Sequence, residues 1–133
     1  MGYAADPRVG SLLGDYHDAG GFGHREHLHL AWTLLREDPD EAETRMLEAI
    51  RHVSSSAGVP EKASVTLTRA WLHVVALAMR RERDPGRFEE LLDRHPALLR
   101  SDLLDRHYRR ETLFSESARA RWVEPDLAPI PTS

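Results

Sequence analysis

Ala63-Ser64-Val65-Thr66-Leu67-Thr68-Arg69-Ala70-Trp71-Leu72-His73-Val74-Val75-Ala76-Leu77-Ala78-Met79-Arg80 is the stretch on which the fold turns. Its apolar residues do not alternate with period two; they recur around a helical turn and cover most of the circumference. A helix of that kind is expected at the centre of a bundle, with other helices around it. Lys62, Thr66, Arg69, His73 and Arg80 line up on one narrow stripe, which is expected to face solvent. Ser64 and Thr68, four apart, fall on the apolar side near Trp71 and Val75. Pro60 stands where a first-turn proline is tolerated, so the helix is expected from there to about residue 83.

Outward from this stretch the pattern stays helical. A short helix is expected over residues 6–18, ended by Gly20-Gly21-Phe22-Gly23. A second runs from His24 to Glu37 and stops before Pro39. Asp40, with Glu43 three positions later, resembles a capping box and opens a third along Ala42, Met46, Ala49, Ile50 and Val53. Ser54 to Gly58 closes it. Beyond the central helix, Asp84-Pro85 restarts the chain with Phe88, Leu91 and Leu92 as a helical face, and Pro96 breaks it before a turn at Ala97-Leu98-Leu99. Ser101 is expected to cap a helix to His107, and Ser115 another to Val123. The prolines at 125, 129 and 131 exclude regular helix over residues 124–133, leaving an extended strap that packs Leu127 and Ile130. The expectation is therefore an all-α fold. It would be a compact single-domain bundle of about five to six helices over residues 1–133, with a weakly ordered segment at 1–21 and an irregular Pro-rich C-terminal strap.

Composition sets the outer limits. The 133 residues are 30% charged and 41% hydrophobic, as in an ordinary soluble globular protein. No apolar run approaches the roughly 18–20 residues of a membrane span, and no basic-then-apolar leader opens the sequence. With no cysteine there is no thiolate chemistry or disulfide framework, which fits a cytoplasmic location. A net charge of −4 argues against nucleic acid as a partner. All 18 basic residues but Lys62 are Arg, which reads as GC-rich bacterial coding. The Trp and Leu content is compatible with a homodimer.

Eight histidines are the chemical signal. On a wheel of about 100° per residue, Leu28, Ala31 and Leu35 fall within roughly 40° of His24, and His27 lies about 60° to one side beside Leu34. Two histidines three apart thus face inward, while His29 looks outward with Arg25, Thr33 and Arg36. Opposite them, Ser64 and Thr68 would complete a buried polar patch, with Trp71 alongside and His107-Tyr108 as a third contributor. Neutral imidazoles bind divalent transition metals, so His24, His27 and His107 are a candidate metal set. The spacing is far less specific than H-E-x-x-H, which is absent. Without a metal, His24, His27 or His107 would serve as general acid or base, with Ser64, Thr68, Trp71 and Tyr108 holding a small substrate. Arg106 to Arg110, around His107-Tyr108, suits an anionic ligand or a carboxylate pair.

The stretch Phe22-Gly23-His24-Arg25-Glu26-His27-Leu28-His29-Leu30-Ala31-Trp32 resembles the opening of a family of small, mostly uncharacterised bacterial helical proteins. Thr66-Leu67-Thr68-Arg69-Ala70-Trp71 is similar to its central helix, and His107-Tyr108 before an Arg-rich turn and a Pro-rich end is similar to its later part. The family's central helix opens with Tyr-His-Glu-Thr; here those positions hold Ala63, Ser64, Val65 and Thr66. The resemblance implies an all-helical fold and a site shared by the His pair and the later His-Tyr. It also implies that a family metal or acid-base centre is altered here, with Ser64 at the inward position. Two functions are therefore expected as alternatives. One is a pocket for a small ligand or metal ion, as in an enzyme of specialised metabolism. The other is a non-catalytic interaction or accessory protein whose His pair is structural.

Overall fold

The computed structural model describes residues 23–58, 63–82 and 86–131. The helix expected over residues 6–18, Pro60, Lys62 and Asp84-Pro85 lie outside the described residues. Among those described there are six α-helices and two 3₁₀ turns, and no strand. No helix among them is long and apolar enough to cross a membrane. The chain's contacts group into two units, residues 1–63 and 64–133.

In the first unit, α1 spans His24–Glu37 and packs on α2, Ala42–Ser56. Glu26 accepts from the Gly23 N–H at 3.0 Å and so satisfies one of the orphan donors at the start of α1. Gly23 has no side chain to complete the reciprocal half of a capping box. The Asp38 N–H closes the other end on the Leu34 carbonyl, and Pro39 prevents another turn. α2 then begins two residues later than Asp40, with Glu41 at its N-cap and no side-chain cap. Asp40 is instead held by its own N–H on the Asp38 carboxylate, 3.2 Å away, so the expected capping box does not form. Leu28, Leu30, Ala31 and Leu34 of α1 meet Ala42, Met46, Ala49 and Ile50 of α2 as the buried set. Each buried leucine removes area worth about 1.5–3 kcal/mol, an upper figure against an extended unfolded chain. α2 outlasts the expected break at Ser54 and stops before Gly58, whose φ of +77° is left-handed.

The second unit is built on α3, Val65–Arg80. Ser64 is its N-cap, with Oγ accepting from the Leu67 N–H at 3.2 Å. α3 packs on α6, Glu116–Ala120, which Ser115 caps through the Ala118 N–H at 3.1 Å. Between them come α4, Phe88–Arg94, then 3₁₀ turns at Pro96–Leu99 and Leu103–Arg106, and α5, Arg110–Leu113. The helices expected from Ser101 and Ser115 are thus shorter than the pattern suggests. Ala70, Leu104, Tyr108 and Leu113 form a buried cluster, with Leu67, Trp71, Val74, Trp122 and Ile130 packed against it.

Two expectations need correcting here. Thr66, assigned to a solvent stripe, is wholly buried, and its stripe mates Arg69 and His73 are half-buried against Trp122. The strap covers that face. An irregular segment carries main-chain groups that need partners, and a polar stripe on a helix can supply them. Of the two apolar strap residues, Ile130 packs on the Tyr108 cluster as expected, whereas Leu127 stays half exposed.

Candidate functional site

His27 is half-buried on the face of α1 that carries its buried residues. Wheel angles place the centre of Leu28, Leu30, Ala31 and Leu34 closer to His27 than to His24, so His27 is the more inward of the pair. Burial is the main cause that lowers its pKa from 6.5 to about 4. The His24 charge adds to the shift, and the Glu26 carboxylate opposes it. His27 is therefore a neutral imidazole at physiological pH, with one N–H to donate and one lone pair to offer. One face away, the His29 ring lies 5.9 Å from that of Trp32, and the Arg36 guanidinium stands 4.6 Å above the same indole. His29 is thus half-buried instead of fully outward.

The remaining candidates belong to the second unit, where Ser64, His107 and Tyr108 bond to the chain's own carbonyls. Ser64 Oγ, besides capping α3, donates to the Ala118 carbonyl at 3.3 Å. Tyr108 is 1% exposed and its hydroxyl donates to the Val123 carbonyl at 2.6 Å. Burial, then the Glu124 and Asp126 charges, push its pKa up to about 12, with Arg69 opposing. His107 Nδ1 lies 2.9 Å from the Ala128 carbonyl. A carbonyl can only accept, so Nδ1 carries the proton and Nε2 is the nitrogen left for other work. The His107 main-chain carbonyl also accepts from the Leu127 N–H at 2.9 Å. Thr68 is buried, and Trp71 packs on the Tyr108 cluster as a core residue.

Residues that the sequence did not place in the site join these. Thr66 Oγ1 donates to the Arg121 carbonyl at 2.8 Å and accepts from the Val123 N–H at 3.0 Å. Asp126 accepts from the Arg109 N–H at 2.9 Å and from the Thr112 hydroxyl at 2.6 Å; the Thr112 bond is the main cause holding its carboxyl below the usual range. These pairs are 14 to 57 residues apart, and no local pattern announces them.

No protein-family model, no curated protein and no solved structure matches this chain.

Of the arginines expected to attract an anion, Arg110 is paired within the chain. Arg110 contacts Asp105 at 3.4 Å and stands 5.2 Å over Phe114. Near the end of α3, Glu82 accepts from Arg94 and from His95 Nε2, each at 2.8 Å. The Arg94 bond, then the His95 bond, holds the Glu82 carboxyl below its ordinary value. Among the described residues no group of three or more His, Asp or Glu side chains is arranged to hold a metal ion. Chemically, the second unit presents a set of side chains that fasten a strap, and the first presents an adjacent pair of imidazoles, one of them neutral.

Proposed function

We propose that the His24–His27 face of α1 binds a small polar ligand or a divalent transition metal ion in a bacterial cytoplasm, as in an enzyme of specialised metabolism, and that the polar residues of the second unit serve the fold. The observation that carries this reading is the position of His27: an imidazole drawn into the apolar face of α1, beside a second imidazole, and kept neutral. A neutral imidazole is a metal ligand and a proton acceptor, whereas a protonated one is neither. Two ring nitrogens one turn apart can share one ligand. The deciding experiment begins with the metal content of untagged protein purified without chelator. Imidazole ¹⁵N spectra are then recorded during titration with Zn²⁺, Ni²⁺ and small carboxylates. The reading expects His27 and His24 resonances to move together and the response to vanish in His24→Ala. Spectra unmoved by every probe, from a metal-free protein, would refute it.

A second reading has its own observation. Ser64, His107 and Tyr108 are all bonded to main-chain carbonyls, as expected of a non-catalytic accessory protein whose polar core is structural. Under that reading, substituting His27 changes stability alone and no small probe binds.

A further inference from the structure

The strap is held the way a peptide is held in a groove. Thr66 takes the carbonyl of 121 and the N–H of 123, Tyr108 the carbonyl of 123, and His107 the N–H of 127 and the carbonyl of 128. Three side chains and the His107 main-chain carbonyl thus hold the main chain of an extended, proline-containing segment, and Trp122 and Ile130 supply its apolar anchors. Arg69, 4.8 Å above the Trp122 ring, and Tyr108, edge-on to it at 6.4 Å, frame the indole.

We propose that this groove also accepts the strap of a second copy of the chain, so that two copies exchange straps and form a symmetric dimer. Three features carry the inference. The recognition is of main chain and of residues that every copy possesses, so the exchanged strap makes the same bonds as the resident one. Pro125, Pro129 and Pro131 restrict the strap when it is off the groove, which lowers the ordering cost of docking from another molecule. With the strap away, the cluster of Tyr108, Ala70, Leu104 and Leu113 loses the cover of Trp122 and Ile130, so an open groove persists only until a strap refills it. The resident strap competes at a high effective concentration, and the balance therefore moves towards exchange as protein concentration rises.

The chain has no cysteine, which makes the test unambiguous. Thr112 Oγ1 and Asp126 Oδ2 are 2.6 Å apart across the groove. Thr112→Cys and isotope-labelled Asp126→Cys chains are mixed at high concentration, incubated and oxidised with copper phenanthroline. The products are then weighed by mass spectrometry. The proposal expects the mixed 112–126 dimer to exceed the 112–112 and 126–126 dimers several-fold, by a margin that grows with concentration. Random pairing of equal amounts already makes the mixed dimer about twice as abundant as either of the others, so a ratio no higher than that overturns it. Light scattering of the wild-type chain gives a measure independent of the variants. A mass that doubles with concentration is expected, and a monomer throughout also overturns the proposal. A doubling without preferential 112–126 linkage is an ordinary dimer and counts against strap exchange.

Discussion

Replacing Thr66 with valine removes one hydroxyl and nothing else of consequence to shape. In the folded chain that hydroxyl makes two hydrogen bonds, to the Arg121 carbonyl and from the Val123 N–H. A net value of about 0.5–1.5 kcal/mol each sets the loss between 1 and 3 kcal/mol. Arg121 is exposed, so its carbonyl can turn to water, whereas Val123 is half-buried and its N–H has less access. The Val123 half of the loss is therefore the larger, and the expected total is about 2 kcal/mol. Urea denaturation reads this as a lower midpoint with an unchanged slope. Amide exchange adds a local readout, in which the Val123 N–H loses protection while the middle of α3 does not. Thr66→Ser is the counterpart: it keeps both bonds and drops a methyl, so about 1 kcal/mol is lost with Val123 protection intact. A Thr66→Val change below about 0.5 kcal/mol, the range of an ordinary surface substitution, would refute the idea that this hydroxyl fastens the strap.

Other outcomes follow from the same geometry. Ser64→Ala removes both the cap of α3 and the bond to Ala118, and is expected to cost about 1–2 kcal/mol in thermal or urea unfolding. For His27, the unfolded chain takes up a proton below pH 6.5 that the folded chain refuses until about pH 4. Stability is thus whole at neutral pH and falls as pH drops through that window, by about 2 kcal/mol, less than full linkage because the ring is only half-buried. His27→Leu should flatten this slope; an NMR midpoint for His27 near 6.5 would contradict the reading. Tyr108→Phe should cost about 1 kcal/mol through the bond to Val123. In the wild type the folded phenol keeps its proton from pH 10 to about pH 12 while the unfolded one loses it, so stability declines above pH 10. Absorbance titration should show one tyrosine ionising late, and all three ionising together near pH 10 would count against it.

The fold class was legible because it depends on local periodicity. α1 matches the expected span from His24 to Glu37, and the apolar face of α2 holds Ala42, Met46, Ala49 and Ile50 as read from spacing. Thr68 is buried as the wheel requires, and Ser64 is buried as the N-cap just outside the helix. Thr66 shows where that reasoning stops. A wheel assigns a polar stripe to solvent because it knows only the helix itself, and cannot see an irregular segment 55 residues away that needs such a stripe. His73 and Arg69 were misassigned for the same reason. The candidate site divides along the same line. The inward lean of His27 is a local property and could be read; the main-chain partners of His107 and Tyr108 are long-range and could not.

The distance in sequence between Thr66 and its partners also bears on how the protein is made. α3 is synthesised more than fifty residues before the carbonyl that its buried threonine needs, and closing a loop of that length costs on the order of 3–4 kcal/mol of chain entropy. On a ribosome, the first unit can settle α1 against α2 through short-range contacts alone. α3, by contrast, waits with Thr66 unsatisfied until the strap has left the exit tunnel. For that interval, on the order of seconds at common elongation rates, an apolar helix with an unfilled groove is exposed in the cell. The second unit is therefore the part of the nascent chain on which a chaperone would act.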